Sequence, residues 1–103
     1  MILKIRRKFK VTYNKEELTI EQAEYFNGRY ALQVFDRHRQ PYAMFTTNIP
    51  AYDDRYQDPR LIFLDTNNCP GIKTVLEEAG YVKDTGHRVQ SGYCVYPVVR
   101  WLM

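Results

Sequence analysis

Four basic side chains stand at alternate positions near the start of the chain: Lys4, Arg6, Lys8 and Lys10. In an extended segment, successive members of such a series project from one face about 6.6–6.8 Å apart. That interval is close to the phosphate repeat along a nucleic-acid strand, and a few such contacts give salt-dependent binding that ignores base sequence. The same stripe also suits a role without a partner, because lysines on an edge strand keep other strands from pairing with it. The charge is local: the first ten residues carry five Lys and Arg and no acid, whereas residues 11–103 hold ten Lys and Arg against twelve Asp and Glu. The formal net charge of +3 hides this patch, and the local field says more about a partner than the sum does.

Other residue types able to do chemistry lack the spacing that chemistry requires. Cys69, Cys94, His38 and His87 are the soft metal ligands. None are paired at C-x-x-C or H-x3-H spacing, so no metal site is expected. Cys69 lies at a candidate helix N-terminus, where a thiol can have a lowered pKa. Flanked by Asn67 and Asn68, it reads instead as part of a structural cap. Asp53, Asp54 and Asp58 share one loop but do not form the EF-hand pattern, and solvated carboxylates are expected there. The chain has no Walker-type loop, dinucleotide fingerprint or G-x-S-x-G elbow. No catalytic residue and no cofactor is therefore assigned, and a small enzyme is the lowest-ranked reading. Tyr25, Phe26, Tyr30, Tyr42 and Phe45 lie on or near the central strands. Rings displayed beside basic residues on a sheet can stack bases. Asn27–Ala31 only faintly echoes an RNA-binding consensus, so a mixture of core and surface roles is expected for these rings.

A strand is needed to align the basic stripe. Residues 2–13 alternate, with Leu3, Ile5, Phe9, Val11 and Tyr13 on one face, broken by Arg7, and the basic series with Thr12 on the other. Asn14-Lys15 is a turn candidate, and Leu18 and Ile20 suggest a second strand within 17–25, although the series Glu16, Glu17, Glu21 and Glu24 would also suit a helix. Asn27-Gly28 is the strongest turn signal, since both residue types tolerate positive φ. It leads into a strand over 29–36, a polar connection over 37–41 and an antiparallel partner over 42–49. Pro50 ends that strand, 51–59 is the longest loop, and the apolar run Leu61–Leu64 reads as a buried strand. The spacing of Ile72, Val75, Leu76 and Ala79 predicts a helix over 70–79, capped by Asn, with Pro70 in its first turn and Gly80 closing it. About three turns are not stable alone, so this helix must pack on the sheet. Residues 93–102 read as a strand interrupted at Pro97, bulged or at an edge because proline lacks the ladder N–H. The expected fold is α+β: a curved, mostly antiparallel sheet with one short helix on one face.

Length and composition agree with that architecture. A chain of 103 residues is expected to form a single domain over 1–103. Nine Tyr, five Phe and one Trp favour strands. Two cysteines are too few for a disulfide scaffold. With neither a long apolar run nor an apolar segment behind the N-terminal charges, no membrane association and a cytoplasmic location are expected.

Three segments together resemble a known group. They are Asn27–Asp36, then Pro41-Tyr42-Ala43 through Thr47-Asn48-Ile49-Pro50, and Glu77–Gly80 through Thr85–Gly92 to Pro97–Arg100. Their order and spacing resemble a family of small, uncharacterised domains of about 100 residues carried on bacterial plasmids, phages and conjugative elements. The likeness covers most of the chain from Asn27 onward, and the N-terminal hairpin is loosely similar. It implies a context rather than a site: an accessory protein of a mobile element, such as an anti-CRISPR or anti-restriction inhibitor. Many such inhibitors imitate DNA with acidic surfaces; this chain is not acidic overall, which disfavours that mechanism. The leading expectation is a non-enzymatic interaction protein that binds a protein or ribonucleoprotein through Lys4, Arg6, Lys8 and Lys10. The alternative is a nucleic-acid-binding module that uses the same stripe. A homodimer through an exposed edge strand is compatible with either.

Overall fold

The structure, a computed structural model, describes residues 7–103. Strand β1 (Arg7–Tyr13) turns at Asn14 and Lys15 into β2 (Glu16–Glu24). Both turn residues have positive φ, 51° and 61°, the conformation that matches the twist of a two-residue hairpin. Tyr13 pairs with Glu16 and Arg7 with Gln22, so the hairpin is in continuous register. After a loop closed by Gly28 N–H to Tyr25 O (2.8 Å) come β3 (Tyr30–Phe35) and β4 (Pro41–Met44). These four strands form an antiparallel sheet in the order β1-β2-β3-β4.

Sequence patterning suggests one strand over 42–49, but the chain changes sheets at Phe45. The Phe45 N–H bonds to Leu32 O on β3 (3.0 Å), while its carbonyl accepts Asp65 N–H (2.9 Å). Its side chain is fully buried. Downstream, β5 (Thr46–Thr47) pairs with β6 (Leu61–Leu64) in a second antiparallel sheet, completed by β7 (Val82–Ser91) and β8 (Cys94–Trp101) in the order β5-β6-β8-β7. The α+β class and the antiparallel pairing stand, and the curved sheet is divided into two four-stranded sheets by this corner.

The inner faces share one core. Val11, Tyr13, Leu18, Ile20, Leu32 and Val34 of the first sheet meet Ile62, Leu64, Val82, Val99 and Trp101 of the second. Helix α1 (Ile72–Glu78) packs against β1 and β7, one edge strand of each sheet, and adds Ile72 and Leu76 to the core. The outer face of the second sheet is covered too: Phe63, Val89 and Val98 pack with Ile49 and Tyr56, beneath the 49–59 segment and its short 3-10 turn at Pro50–Tyr52. Strand β6 is therefore apolar at every position because both of its faces are covered.

Three local expectations need correction. The helix starts after Gly71, which has φ +78°, and no side chain caps it. Pro70 stands before the helix and accepts a hydrogen bond from Tyr13 Oη (2.8 Å). Asn68 lies outside the first turn of the helix, where the Asp65 carboxylate accepts its backbone N–H (3.2 Å) and its side-chain amide N–H (2.8 Å). Ala79, expected on the buried face, is exposed, because the helix ends there. Gly80, with φ +79°, does close it. Gly80 N–H bonds to Glu77 O and Tyr81 N–H to Leu76 O, the paired bonds of a left-handed C-terminal closure. In β8, Pro97 lies opposite Arg88 of β7 but one residue outside the ladder with β6, which begins at Val98. The bulge lies instead on β7, between Asp84 and His87.

Candidate functional site

The outer face of the first sheet is the side the core does not use. On β1 it carries Lys8 and Lys10, both exposed. Register sets Lys8 beside Glu21 and Lys10 beside Thr19 on β2, and beyond them Gln33 and Phe35 on β3. Lys10 Nζ donates to Thr19 Oγ1 (3.3 Å). Lys4 and Arg6, the other two members of the stripe, lie outside the described residues. Arg7, which breaks the apolar side, lies with its guanidinium 5.1 Å from the Phe9 ring centroid.

The connection between β3 and β4 adds cations that the sequence pattern did not reveal. Asp36 Oδ1 accepts the backbone N–H groups of His38 (2.8 Å) and Gln40 (2.9 Å), and Arg39 N–H bonds to Asp36 O (3.0 Å). Arg39 itself has φ +63°. This tight turn folds back over the sheet. The Arg39 guanidinium comes to 5.0 Å from the Phe35 ring centroid, and Arg39 Nη2 to 2.6 Å from Glu21 Oε2. Lys8, Lys10, Arg37 and Arg39 thereby converge with Phe9, Thr19 and Asp36 around a concavity of about 310 Å³. Asp36 and Arg37 also line a neighbouring hollow of about 440 Å³ with Lys15, Glu16, Glu17 and His38, so the two form a trough. Among the described residues, Lys8, Lys10 and Arg37 make no ion pair, whereas Arg39 pairs with Glu21. Asp36 is occupied in holding its turn. The one signal for these added cations was the Arg37-His-Arg39 run in a connection between two strands, and only strand pairing shows which face it covers.

A second concavity, about 280 Å³, is lined by Asn27, Gly28, Arg29, Asp53, Tyr56, Gln57 and Pro59. Its cation is committed to the fold. Arg29 is buried, donates to Leu61 O (2.6 Å) and Tyr56 O (2.7 Å), pairs with Asp53 (3.2 Å) and lies 4.7 Å from the Phe63 ring centroid. Its Nε is buried with no hydrogen-bond partner. Asn27 Nδ2 donates to Asp53 Oδ1 (2.9 Å) and Asn48 Oδ1 (3.1 Å). This network pins the 49–59 segment onto the second sheet.

The remaining sequence candidates have structural roles. Asp53 is tied to Arg29 and Asn27, and Asp58 to Arg100 at 2.7 Å. The backbone N–H of Arg60, then the Arg100 guanidinium, hold the Asp58 carboxyl below the usual range. Cys69 is buried, with Sγ 3.7 Å from Met44 O. Burial first, and the nearby Asp65 carboxylate second, push its thiol pKa up rather than down. Among the described residues no three His, Cys, Asp or Glu side chains are grouped to hold a metal ion. Of the aromatic rings, Phe45 is fully buried and Tyr30 and Tyr42 pack against the core, while Phe26 is exposed at its turn. Phe35 lies on the outer face of the first sheet beneath Arg39, and Phe9 reaches the rim of the basic concavity. No helix among the described residues is long and apolar enough to cross a membrane. No protein-family model matches the chain, and no curated protein or solved structure is significantly similar to it.

Proposed function

We propose that this protein is a non-enzymatic interaction protein that docks through the outer face of its first sheet onto a phosphate-bearing partner, a ribonucleoprotein or a nucleic acid. The observation that carries this reading is the convergence of Lys8, Lys10, Arg37 and Arg39 on one concavity from two chain segments distant in sequence. A solvated edge needs only scattered lysines. A cluster in which three cations have no ion-pair partner among the described residues leaves those charges available to phosphate. The same stripe supports direct nucleic-acid binding, which differs only in whether a protein accompanies the nucleic acid. The mobile-element setting, and with it counter-defence, rests on the sequence resemblance alone.

The test is salt-dependent binding to random-sequence RNA and DNA, followed by fluorescence anisotropy. Contacts from Lys8, Lys10 and Arg37 give a slope of log affinity against log salt of about −2 to −3, since each phosphate contributes about 0.7–0.9. The triple variant Lys8→Glu, Lys10→Glu, Arg37→Glu is expected to abolish binding while it remains folded. Salt-independent binding, or full binding by this variant, would refute the reading.

A further inference from the structure

The geometry points to a single-stranded nucleic acid as the occupant of this trough, with Arg39, set over Phe35 and tied to Glu21, as the platform on which one base stacks. This inference rests on reading the face as phosphate-binding and adds the form of the nucleic acid. Three observations carry it. First, the Arg39 guanidinium is held on two sides, by the Phe35 ring at 5.0 Å and the Glu21 carboxylate at 2.6 Å. The Arg39 side chain is still 55% exposed, while that of Glu21 is 8% exposed. A planar cation anchored from below and open above offers a flat surface that a base can cover, and the ordering cost is already met within the free protein.

Second, the charges divide the work. Glu21 offsets the charge on Arg39, so Arg39 is the weakest phosphate ligand of the four and the best placed for stacking. Lys8, Lys10 and Arg37 have no such partner among the described residues. Lys8 and Lys10 project from the same side of β1, about 6.6–6.8 Å apart, an interval that suits successive phosphates of an extended strand.

Third, the surface is concave. The concavity of about 310 Å³ is floored by Thr19 and flanked by Arg37 and Arg39. Duplex DNA is read by protruding elements that enter a groove about 12 Å wide. A trough on a sheet instead admits an unpaired strand with splayed bases.

The experiment compares four probes at fixed salt by anisotropy or competition: oligo(U), oligo(dT), a duplex of equal length, and inorganic polyphosphate. The single strands are expected to bind at least about tenfold more tightly than the duplex. Arg39→Lys keeps the charge but loses the plane. It is expected to weaken single-strand binding about tenfold, within the range that stacking one base supports, with the salt slope and polyphosphate binding unchanged. Lys10→Gln is expected to lower the slope by about 0.7 for single strands. Phe35→Leu, which removes the ring beneath Arg39, should reproduce the Arg39→Lys effect and provides a second readout. A duplex bound as tightly as single strands overturns the inference and leaves the phosphate-binding reading intact. So does an Arg39→Lys loss shared equally with polyphosphate, or no loss at all. If none of the four probes binds, or only an acidic protein does, both fail. Oligo(U) against oligo(dT) shows whether the ribose hydroxyl contributes.

Discussion

The link between the two sheets can be tested at one hydrogen bond. Trp101 on β8 is fully buried, and its indole Nε1–H donates to Gln22 Oε1 on β2 at 2.8 Å. The rings of Phe9 and Tyr81 surround it, with centroids 5.4 and 5.9 Å away. Gln22 is a polar residue on the core-facing side of β2, in line with Leu18 and Ile20. Replacing it by Met keeps the length and volume of the side chain and removes the acceptor. The indole N–H is then buried without a partner, which costs about 1–3 kcal/mol. A loss of about 2 kcal/mol lowers the urea midpoint by about 1 M for a slope near 2 kcal/mol/M. The chain's one tryptophan is the fluorescent probe for the wild type and Gln22→Met. A double-mutant cycle with Trp101→Phe, followed by circular dichroism, isolates the hydrogen bond: in the Phe background, Gln22→Met should cost less than about 0.5 kcal/mol. A single-variant loss below about 0.5 kcal/mol, or the same loss in both backgrounds, would refute the reasoning. The bond also bears on the site, because the opposite face of β2 carries Thr19 and Glu21.

Further outcomes follow from local geometry. Lys15 has φ +61° at the second position of the β1–β2 turn, where glycine is preferred. Lys15→Gly should therefore raise stability by about 0.5–1 kcal/mol, measured by urea titration; a loss would show that Lys15 makes a compensating contact. Cys69 is buried with a raised thiol pKa and Cys94 is half-buried. A thiol reagent at pH 8 should modify Cys94 in the native protein and Cys69 only on unfolding, and Cys94→Ala should remove the fast phase. Asp58 has a carboxyl pKa lowered in the folded state, so its contribution is present above the unfolded value of about 3.9 and is lost as pH falls through the folded value. Asp58→Asn should thus be less stable than wild type at pH 7, with the gap closing below about pH 4 in a series of urea midpoints. A gap that does not change with pH would assign the effect to something other than the carboxylate charge.

Much of the architecture was legible because local physics decides it. The period-2 alternation of β1 over 7–13, the turns at Asn14-Lys15 and at Gly28 and the apolar run of β6 read correctly, as did the closure of α1 at Gly80, since each depends on neighbours in sequence. The starts of elements were less legible when a competing local bond intervened. Asn68 has the chemistry of a cap, yet the chain there forms a local turn on the Asp65 carboxylate, and the helix begins only after Gly71. The division at Phe45 was hidden as well. Tyr42–Ile49 reads as one strand, and only the bonding of Phe45 to β3 on one side and to Asp65 on the other shows a corner.

For the candidate site, sequence alone determined that a basic stripe exists, that Lys8 and Lys10 share one side of a strand, and that this side faces away from the apolar residues. Alternation along one strand is enough to decide that, because the side-chain period of a strand is two. Tertiary structure alone decided what lies beside the stripe. Pairing of β1 with β2 and of β2 with β3 sets Lys10, Thr19 and Phe35 in a row, and the Asp36 turn folds Arg37 and Arg39 back over that row. The concavity arises from register and turn geometry that bring β1 to the 36–39 turn, more than 20 residues away, information that no local pattern contains.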